Sequence, residues 1–253
     1  MGIFVNYSII VCIIFILPAL CYSNQTNASK ATFYKTLDGK GTPNGACGYG
    51  DYGKYVNNGL VTVASSKLYN NGAGCGACYM VTCKEMAVCS YQGTKVMVTD
   101  NGEGPAGTDF ILSYEAFGRL AKHPGLAQKL FAKGVVDVDY KRVSCNNYEN
   151  NNLAFKINEH SNYPAYIAFF PINQGGATDI LAIQVYEEKS YKWIAMRRAY
   201  GAVFDLANPP SGPLKLRIQV TQGGYTKWVQ SKKTLIPSYW KPGTIIQTDI
   251  HFP

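Results

Sequence analysis

The sequence predicts a mainly β protein in two domains. Three observations carry this reading. Short runs of alternating apolar and polar residues recur along the chain, and a helical pattern occurs only between residues 113 and 134. Past residue 23 all six cysteines lie between Cys47 and Cys145, and none falls in the last 108 residues. Between the halves stands "NNYENNN", 146–152, a polar break that reads as a linker. Each half has roughly 100 residues or more, enough to bury its own core.

The elements follow in order. Residues 1–23 hold no charged side chain, and Ile9 to Leu17 is apolar except for Cys12. That run falls short of the ~20 residues of a membrane span, and small residues follow it. It reads as a secretory signal peptide cut near Ser23. Its removal takes Cys12 and Cys21 and leaves an even six, which implies disulfides in an oxidising compartment. Residues 24–30 form a polar segment with glycosylation sequons at Asn24 and Asn27.

The first domain is expected over 31–145. "VTVASSKLY", "CYMVTC", "KVMVTD" and "GVVDVDYKRV" read as strands. Between the last two, Ser113 can cap a helix, Glu115 suits its first turn, and Gly134 can end it. Pro124 and Gly125 interrupt this stretch, so two short helices are expected, with Phe117, Leu120, Leu130 and Phe131 facing inward. The second domain is expected over 153–253. "LAFKIN", "AYIAFF", "DILAIQVY" and "LKLRIQV" are short strands bounded by Gly and Pro turns. In the last, Leu214, Leu216, Ile218 and Val220 alternate with Lys215, Arg217 and Gln219, one face in and one face out. This pattern predicts a β-sandwich.

Several function classes drop out. "CGACYMVTC" holds a Cys-x-x-Cys, but with the leader and the even count it reads as disulfide rather than zinc or redox chemistry. His123, His160 and His251 stand in no metal-ligand spacing and read as surface residues. There is no Gly-x-Ser-x-Gly, and "GYGDYG" opens no helix as a phosphate loop would. No cofactor and no metal are expected. The net charge is +8, of which +3 lies in 24–150 and +5 in 151–253. A basic exported chain suits an acidic polysaccharide matrix better than nucleic acid, and no membrane partner is expected after the leader is removed.

Carboxylates and aromatics remain, with 19 Tyr, 11 Phe and 3 Trp. Exposed rings present flat apolar faces that suit the C–H faces of sugars. In "NYPAYIAFF", Tyr166, Ala168 and Phe170 share one strand face while Ile167 and Phe169 share the other. One face must be core, and the other is expected to be free for a ligand. Trp193 and Trp240 read as core or rim. Arg197 and Arg198 read either as partners for acidic sugars or as solvated cations.

"ATFYKT", "NGACGYG", "GAGCGACYMVTC", "VTD" and "VDVDYKRVSC" resemble the first domain of plant expansins, and "MRRAYGAVFD" and "IPSYWKPG" resemble the second. The likeness runs in order over about residues 31 to 250, and the subgroup it points to is expansin-like B. It implies a double-psi β-barrel like that of family 45 endoglucanases, followed by a pollen-allergen-like β-sandwich that binds cellulose or another glycan. It implies the pairs Cys47–Cys75, Cys78–Cys145 and Cys83–Cys89, where spacing alone leaves fifteen connectivities open. It implies a monomer in the cell wall whose partners are cellulose, xyloglucan, xylan or pectin.

The resemblance also locates the chemistry. Inverting glycoside hydrolysis needs two carboxylates roughly 6.5–9.5 Å apart. In the family 45-like barrel the base lies two residues after the tyrosine matched by Tyr34, and here that position is Thr36. The acid closes a His-Phe-Asp run followed by Leu-Ser. Aligned on "ILS", Asp109 takes the histidine's place and Ile111 the acid's. No catalytic residue is expected. Thr32, Tyr34 and Asp100 match groove residues, with Asp109 beside them, and Tyr166 and Tyr200 match the aromatic positions of the second domain, Tyr200 where expansins often carry Trp. The expected function is that of a secreted wall protein that binds polysaccharide and loosens or reorganises the wall without hydrolysis, and the alternatives are two: weak glycan cleavage through Asp100 or Asp109, or a structural or defence-related apoplastic protein without a glycan role.

Overall fold

The computed structural model describes residues 26–35, 40–145 and 152–252. The leader 1–23, Asn24, Thr36 and the expected linker up to residue 151 lie outside the described residues.

Six strands close the first barrel: β1 (Asn27–Phe33), β2 (Val61–Ala64), β3 (Cys78–Cys83), β4 (Thr94–Asn101), β5 (Thr108–Leu112) and β6 (Val136–Val143). Their order around the barrel is β1-β5-β2-β4-β3-β6. The β1/β5 and β2/β4 pairs are parallel and the other four antiparallel. Closure leaves no free edge. Phe110 and Leu112 point inward from β5 and are fully buried, while Asp109 and Ile111, which alternate with them, are half-exposed. Inside, Tyr79, Phe110 and Tyr140 meet edge to face with centroids 4.9–5.7 Å apart.

Two details differ from the sequence reading. The run 61–69 is not one strand. It stops at Ala64, and Ser65 starts a single helical turn, Ser66–Tyr69, whose amides at Leu68 and Tyr69 donate back to the Ser65 carbonyl. Serine at a helix start favours that change of course. The barrel also begins at Asn27, four residues before Ala31, because Asn27–Lys30 pair with Tyr140–Asp137 of β6. Polar outward residues gave these positions no apolar signal.

The two short helices are present: α1 (Tyr114–Gly118) and α2 (Pro124–Lys133). The Ser113 hydroxyl accepts from the Ala116 amide, Pro124 sits in the first turn of α2, and Gly134 ends it at φ 75°. Phe117, Leu120 and Leu130 are fully buried, and Phe131 is half-buried against Phe33 and Tyr114.

Among the described residues nine strands build the second domain: β7 (Ala154–Ile157), β8 (Tyr166–Ile172), β9 (Asp179–Glu187), β10 (Lys192–Ala195), β11 (Arg197–Tyr200), β12 (Val203–Ala207), β13 (Lys215–Gln222), β14 (Tyr225–Gln230) and β15 (Ile245–Gln247). They form a four-stranded sheet, β10-β9-β13-β14, and a five-stranded sheet, β11-β12-β8-β7-β15. Leu214, Leu216, Ile218 and Val220 are buried between them with Ile167, Phe169, Phe204 and Ile183. Each such side chain contributes roughly 1.5–3 kcal/mol when taken from water.

The outer face of β8 is not free along its length. Ala168 and Phe170 belong to the cluster that includes the barrel's own core, and Phe170 meets Tyr49 of the barrel at 5.5 Å. The sequence shows two apolar faces but not that the second is covered by the other domain. The contact is made backbone against backbone. Cys78 and Cys145 donate amides to Gly176 and Gly175, Ala202 donates to Cys47, and the Gln174 amide group donates to Cys75 at 2.6 Å. The disulfides Cys47–Cys75 and Cys78–Cys145 both stand at this seam, and Cys83–Cys89 closes a small loop elsewhere on the barrel.

Gly201 is where this contact tolerates least. Its φ is +48°, and a β-carbon there would lie 2.1 Å from the Ala46 carbonyl oxygen. Gly201→Ala is expected to cost more than about 1 kcal/mol from the backbone conformation alone, with the clash in addition. Differential scanning calorimetry is expected to show the single transition moving down and splitting into two. An unchanged transition would mean that the domains do not stabilise each other here.

Candidate functional site

The barrel strands bring four positions into one row. Thr32 of β1 pairs with Ile111 of β5, Ile111 with Val63 of β2, and Val63 with Asp100 of β4. Residues in register on neighbouring strands point to the same side of the sheet. Thr32, Ile111 and Asp100 are each half-exposed, and Val63 is buried between them. Two polar groups therefore flank a centre of two hydrocarbon side chains. Asp100 lies two strands from Ile111, about 10 Å away.

The polar ends are already engaged. The Thr32 hydroxyl donates to the Gly134 carbonyl at 2.8 Å. One Asp100 carboxylate oxygen accepts from the Ala46 amide at 2.6 Å and from its neighbour Asn101 at 2.8 Å, which fixes the 44–46 loop over the strand end. Tyr34 lies one pleat beyond Thr32. Its buried hydroxyl has no hydrogen-bond partner in good geometry among the described residues, and burial, then the Asp100 charge, pushes its pKa well above the ordinary phenol value. Asp109 shares the outer side of β5 with Ile111, but it does not fold back towards the row. Its carboxylate accepts from the Ser65 hydroxyl at 2.6 Å, and its backbone is tied to Ser65 and Ser29.

Beyond the 44–46 loop an open cleft of about 480 Å³ separates the domains. Asn44, Gly45, Tyr49 and Tyr52 line its barrel side, and Lys156, Glu159 and His160 its sandwich side, with Tyr200 at one end. Tyr200 is half exposed and its ring rests on Gly48, where a β-carbon would come within 2.6 Å of the ring. The sequence reading missed Tyr49, Tyr52, Lys156 and Glu159 and set His160 aside as a surface residue. "GYGDYG" was the available signal, since a glycine-rich run marks a turn, although Tyr49 itself is nearly buried against Phe170.

Tyr166 is held by a buried carboxylate. Its hydroxyl donates to Asp205 at 2.9 Å, and Arg197 clamps the same carboxylate with Nε at 3.0 Å and Nη2 at 2.5 Å. The arginine hydrogen bond holds the Asp205 pKa below the usual carboxylate range, while burial, then the Asp205 hydrogen bond, raises that of Tyr166. The two arginines have separate duties, and neither is a loose cation. Arg198 is turned into the domain seam, stacks on Phe204 at 4.4 Å, and donates to the carbonyls of Gly72, Gly201 and Ile180. Burial lowers its pKa.

Among the described residues no cluster of His, Cys, Asp and Glu could hold a metal ion, and no helix is long and apolar enough to cross a membrane. A family model described as the expansin C-terminal domain matches residues 153–237, and one described as lytic transglycolase matches 61–140. Expansin-like B1 of Arabidopsis thaliana is 46% identical over 238 residues, covering 94% of each chain. The chain belongs to the expansin family. Expansin-like B1 of Oryza sativa subsp. japonica is 41% identical over 94% of this expansin and 92% of its own length. A solved Clavibacter michiganensis expansin, a mutant in complex with cellohexaose, superposes with TM-score 0.65 over 90% of this chain and 99% of its own. At 21% identity that likeness speaks for the fold.

The Asp205 clamp gives a pH signature. Its folded pKa is depressed, so its stabilisation is present above the unfolded value of about 3.9 and is lost as pH falls through the folded one. Thermal midpoints of the wild-type expansin and Asp205→Asn are expected to differ at pH 7 and to converge below about pH 4. A gap that stays constant down to pH 2.5 would exclude this carboxylate as the cause.

Proposed function

We propose that this expansin is a secreted cell-wall protein that binds wall polysaccharide along one track across both domains and does not hydrolyse it. The track runs from Thr32 through Ile111, Val63 and Asp100, over the 44–46 loop, through the Tyr49–His160 cleft, to Tyr200 and Tyr166. The observation that carries the reading is the row itself. Hydrocarbon occupies its centre where a hydrolase of this barrel type keeps its proton donor, and isoleucine can neither give nor take a proton. Of the carboxylates at the row, Asp100 accepts from backbone amides and Asp109 from Ser65, while Asp51 and Glu159 lie apart in the cleft. A track lined this way can grip a chain by hydrogen bonds and ring contacts, and its row lacks the acid–base pair that inversion needs.

The sandwich end supplies the apolar contacts. Tyr166 is fixed by Asp205 and Tyr200 by Gly48, so both rings are ordered before a glycan arrives and less freedom is lost on binding. Wall loosening, on this reading, is displacement: many weak contacts along an extended chain compete with glycan–glycan contacts. The solved relative in complex with cellohexaose supports a β-glucan such as cellulose as ligand. We assign 27–145 and 153–253 as the two domains, 1–23 as the leader that directs export, and Asn27 as a usable sequon, since it is exposed at the start of β1.

Pulldown on cellulose, with cello-oligomer titration, tests the track. Tyr200→Ala and Tyr166→Ala are each expected to weaken binding roughly ten-fold, the equivalent of losing about 1.4 kcal/mol of ring contact. Unchanged affinity in the double variant would remove the sandwich from the mechanism. New reducing ends on purified glycan that vanish in Asp109→Asn would overturn the non-hydrolytic assignment.

A further inference from the structure

The face of the sandwich turned away from the barrel carries a second aromatic assembly. On the four-stranded sheet, Trp193 of β10 stands beside Tyr186 of β9, and Tyr186 beside Lys215 of β13. Arg217, two residues along, is paired with Gln184, and the next strand brings Trp228 opposite Gln219. These side chains form a three-layer stack. The Arg217 guanidinium lies over the Trp193 ring at 4.5 Å and over the Trp228 ring at 4.8 Å. Its Nε donates to the Gln184 side chain at 2.6 Å, which fixes the plane. Neither terminal nitrogen has a protein partner among the described residues. Lys215 lies over Tyr186 and is shared with Glu188 at 3.6 Å.

We propose that this stack is a second glycan site, specific for a polysaccharide that bears uronate carboxylates. Charge complementarity selects the occupant. A guanidinium presents a planar fork that matches a carboxylate, and here it is held flat with its outer edge open. The exposed Trp228 indole offers apolar surface to the C–H edge of the same sugar ring, while Trp193, packed on Tyr186, backs the guanidinium from the other side. Trp228 keeps 41% of its surface exposed on an edge strand, where a solvated face would ordinarily carry polar groups. The 151–253 half, with net charge +5, attracts an anionic chain to this region. The site lies on the sheet opposite Tyr166 and Tyr200, so one sandwich can hold two different polysaccharides at once.

Affinity electrophoresis of the full-length mature protein in gels containing polygalacturonate tests the proposal, with cellulose pulldown run in parallel. Arg217→Gln and Trp228→Ala are each expected to weaken polygalacturonate binding roughly ten-fold and to leave cellulose binding unchanged. Tyr166→Ala/Tyr200→Ala is expected to do the reverse, so failure of one surface is distinguishable from failure of the other. Arg217→Lys, which keeps the charge and loses the fork, is expected to bind weakly as well, and thermal midpoints confirm that each variant is folded. Wild-type retardation in Arg217→Gln and Trp228→Ala would reduce the stack to a cross-strand contact and overturn the site. So would an equal loss in Lys129→Gln, on the barrel's α2, because bulk charge would then account for the binding.

Discussion

Backbone-to-backbone contact between the two domains is the constraint on which the rest depends. Side chains can repack around an error of an ångström, but peptide groups in direct contact cannot. A β-carbon on Gly72 would stand 2.3 Å from the Gly201 carbonyl oxygen, and one on Gly176 would stand 2.3 Å from the Cys145 sulfur. Arg142 reaches across the same seam from the barrel, stacking on Tyr79 and pairing with Asp179 of the sandwich at 2.6 Å. Because both disulfides at the seam fix the barrel side, the sandwich meets a surface that is already rigid. The relative position of the 44–46 loop, Tyr49 and Tyr200 follows from that fit.

The proposed binding track inherits this rigidity. Neither domain alone offers a long surface: the barrel has a short row with polar ends, and the sandwich has two rings. Docking places them end to end. An extended sugar chain would then lie on groups that need little rearrangement, so the entropy lost on binding falls mainly on the glycan. The same rigidity explains the fate of the carboxylates. Asp100, Asp109 and Asp205 all hold structure in place, by accepting from a loop amide, a serine hydroxyl, and an arginine with a tyrosine. A carboxylate with such fixed partners serves as a joint in the scaffold.

Much of the fold was legible because local chemistry and tertiary need agreed. In β13 the alternation of Leu216, Ile218 and Val220 with polar neighbours has one solution, and the structure adopts it. Ser113 and Gly134 bounded the helical stretch because capping is a local act. Other features depended on distant partners. Phe170 reads the same whether it meets a ligand or Tyr49. Arg198 reads as a surface cation until Gly72, 126 residues away, supplies a carbonyl. β1 and β5 were hard to see because each is half-polar, and only parallel pairing across 78 residues makes them a wall. For the site, the register that puts Thr32, Ile111, Val63 and Asp100 in a line is a property of four separated strands. The resemblance named three of these four positions, and pairing added Val63.

The seat of Gly176 on the Cys78–Cys145 bridge makes that bridge part of the joint between the domains. The sandwich holds its own core of Ile167, Phe169, Phe204 and Ile218 and contains no cysteine, so its interior needs no oxidation. The surface it docks against is built on two of the bridges. Cys78 and Cys145 donate their amides to Gly176 and Gly175, and Gly176 lies so close to the Cys145 sulfur that a β-carbon would stand 2.3 Å from it. Cleaving this bridge would therefore disturb the joint between the domains and leave the sandwich core untouched.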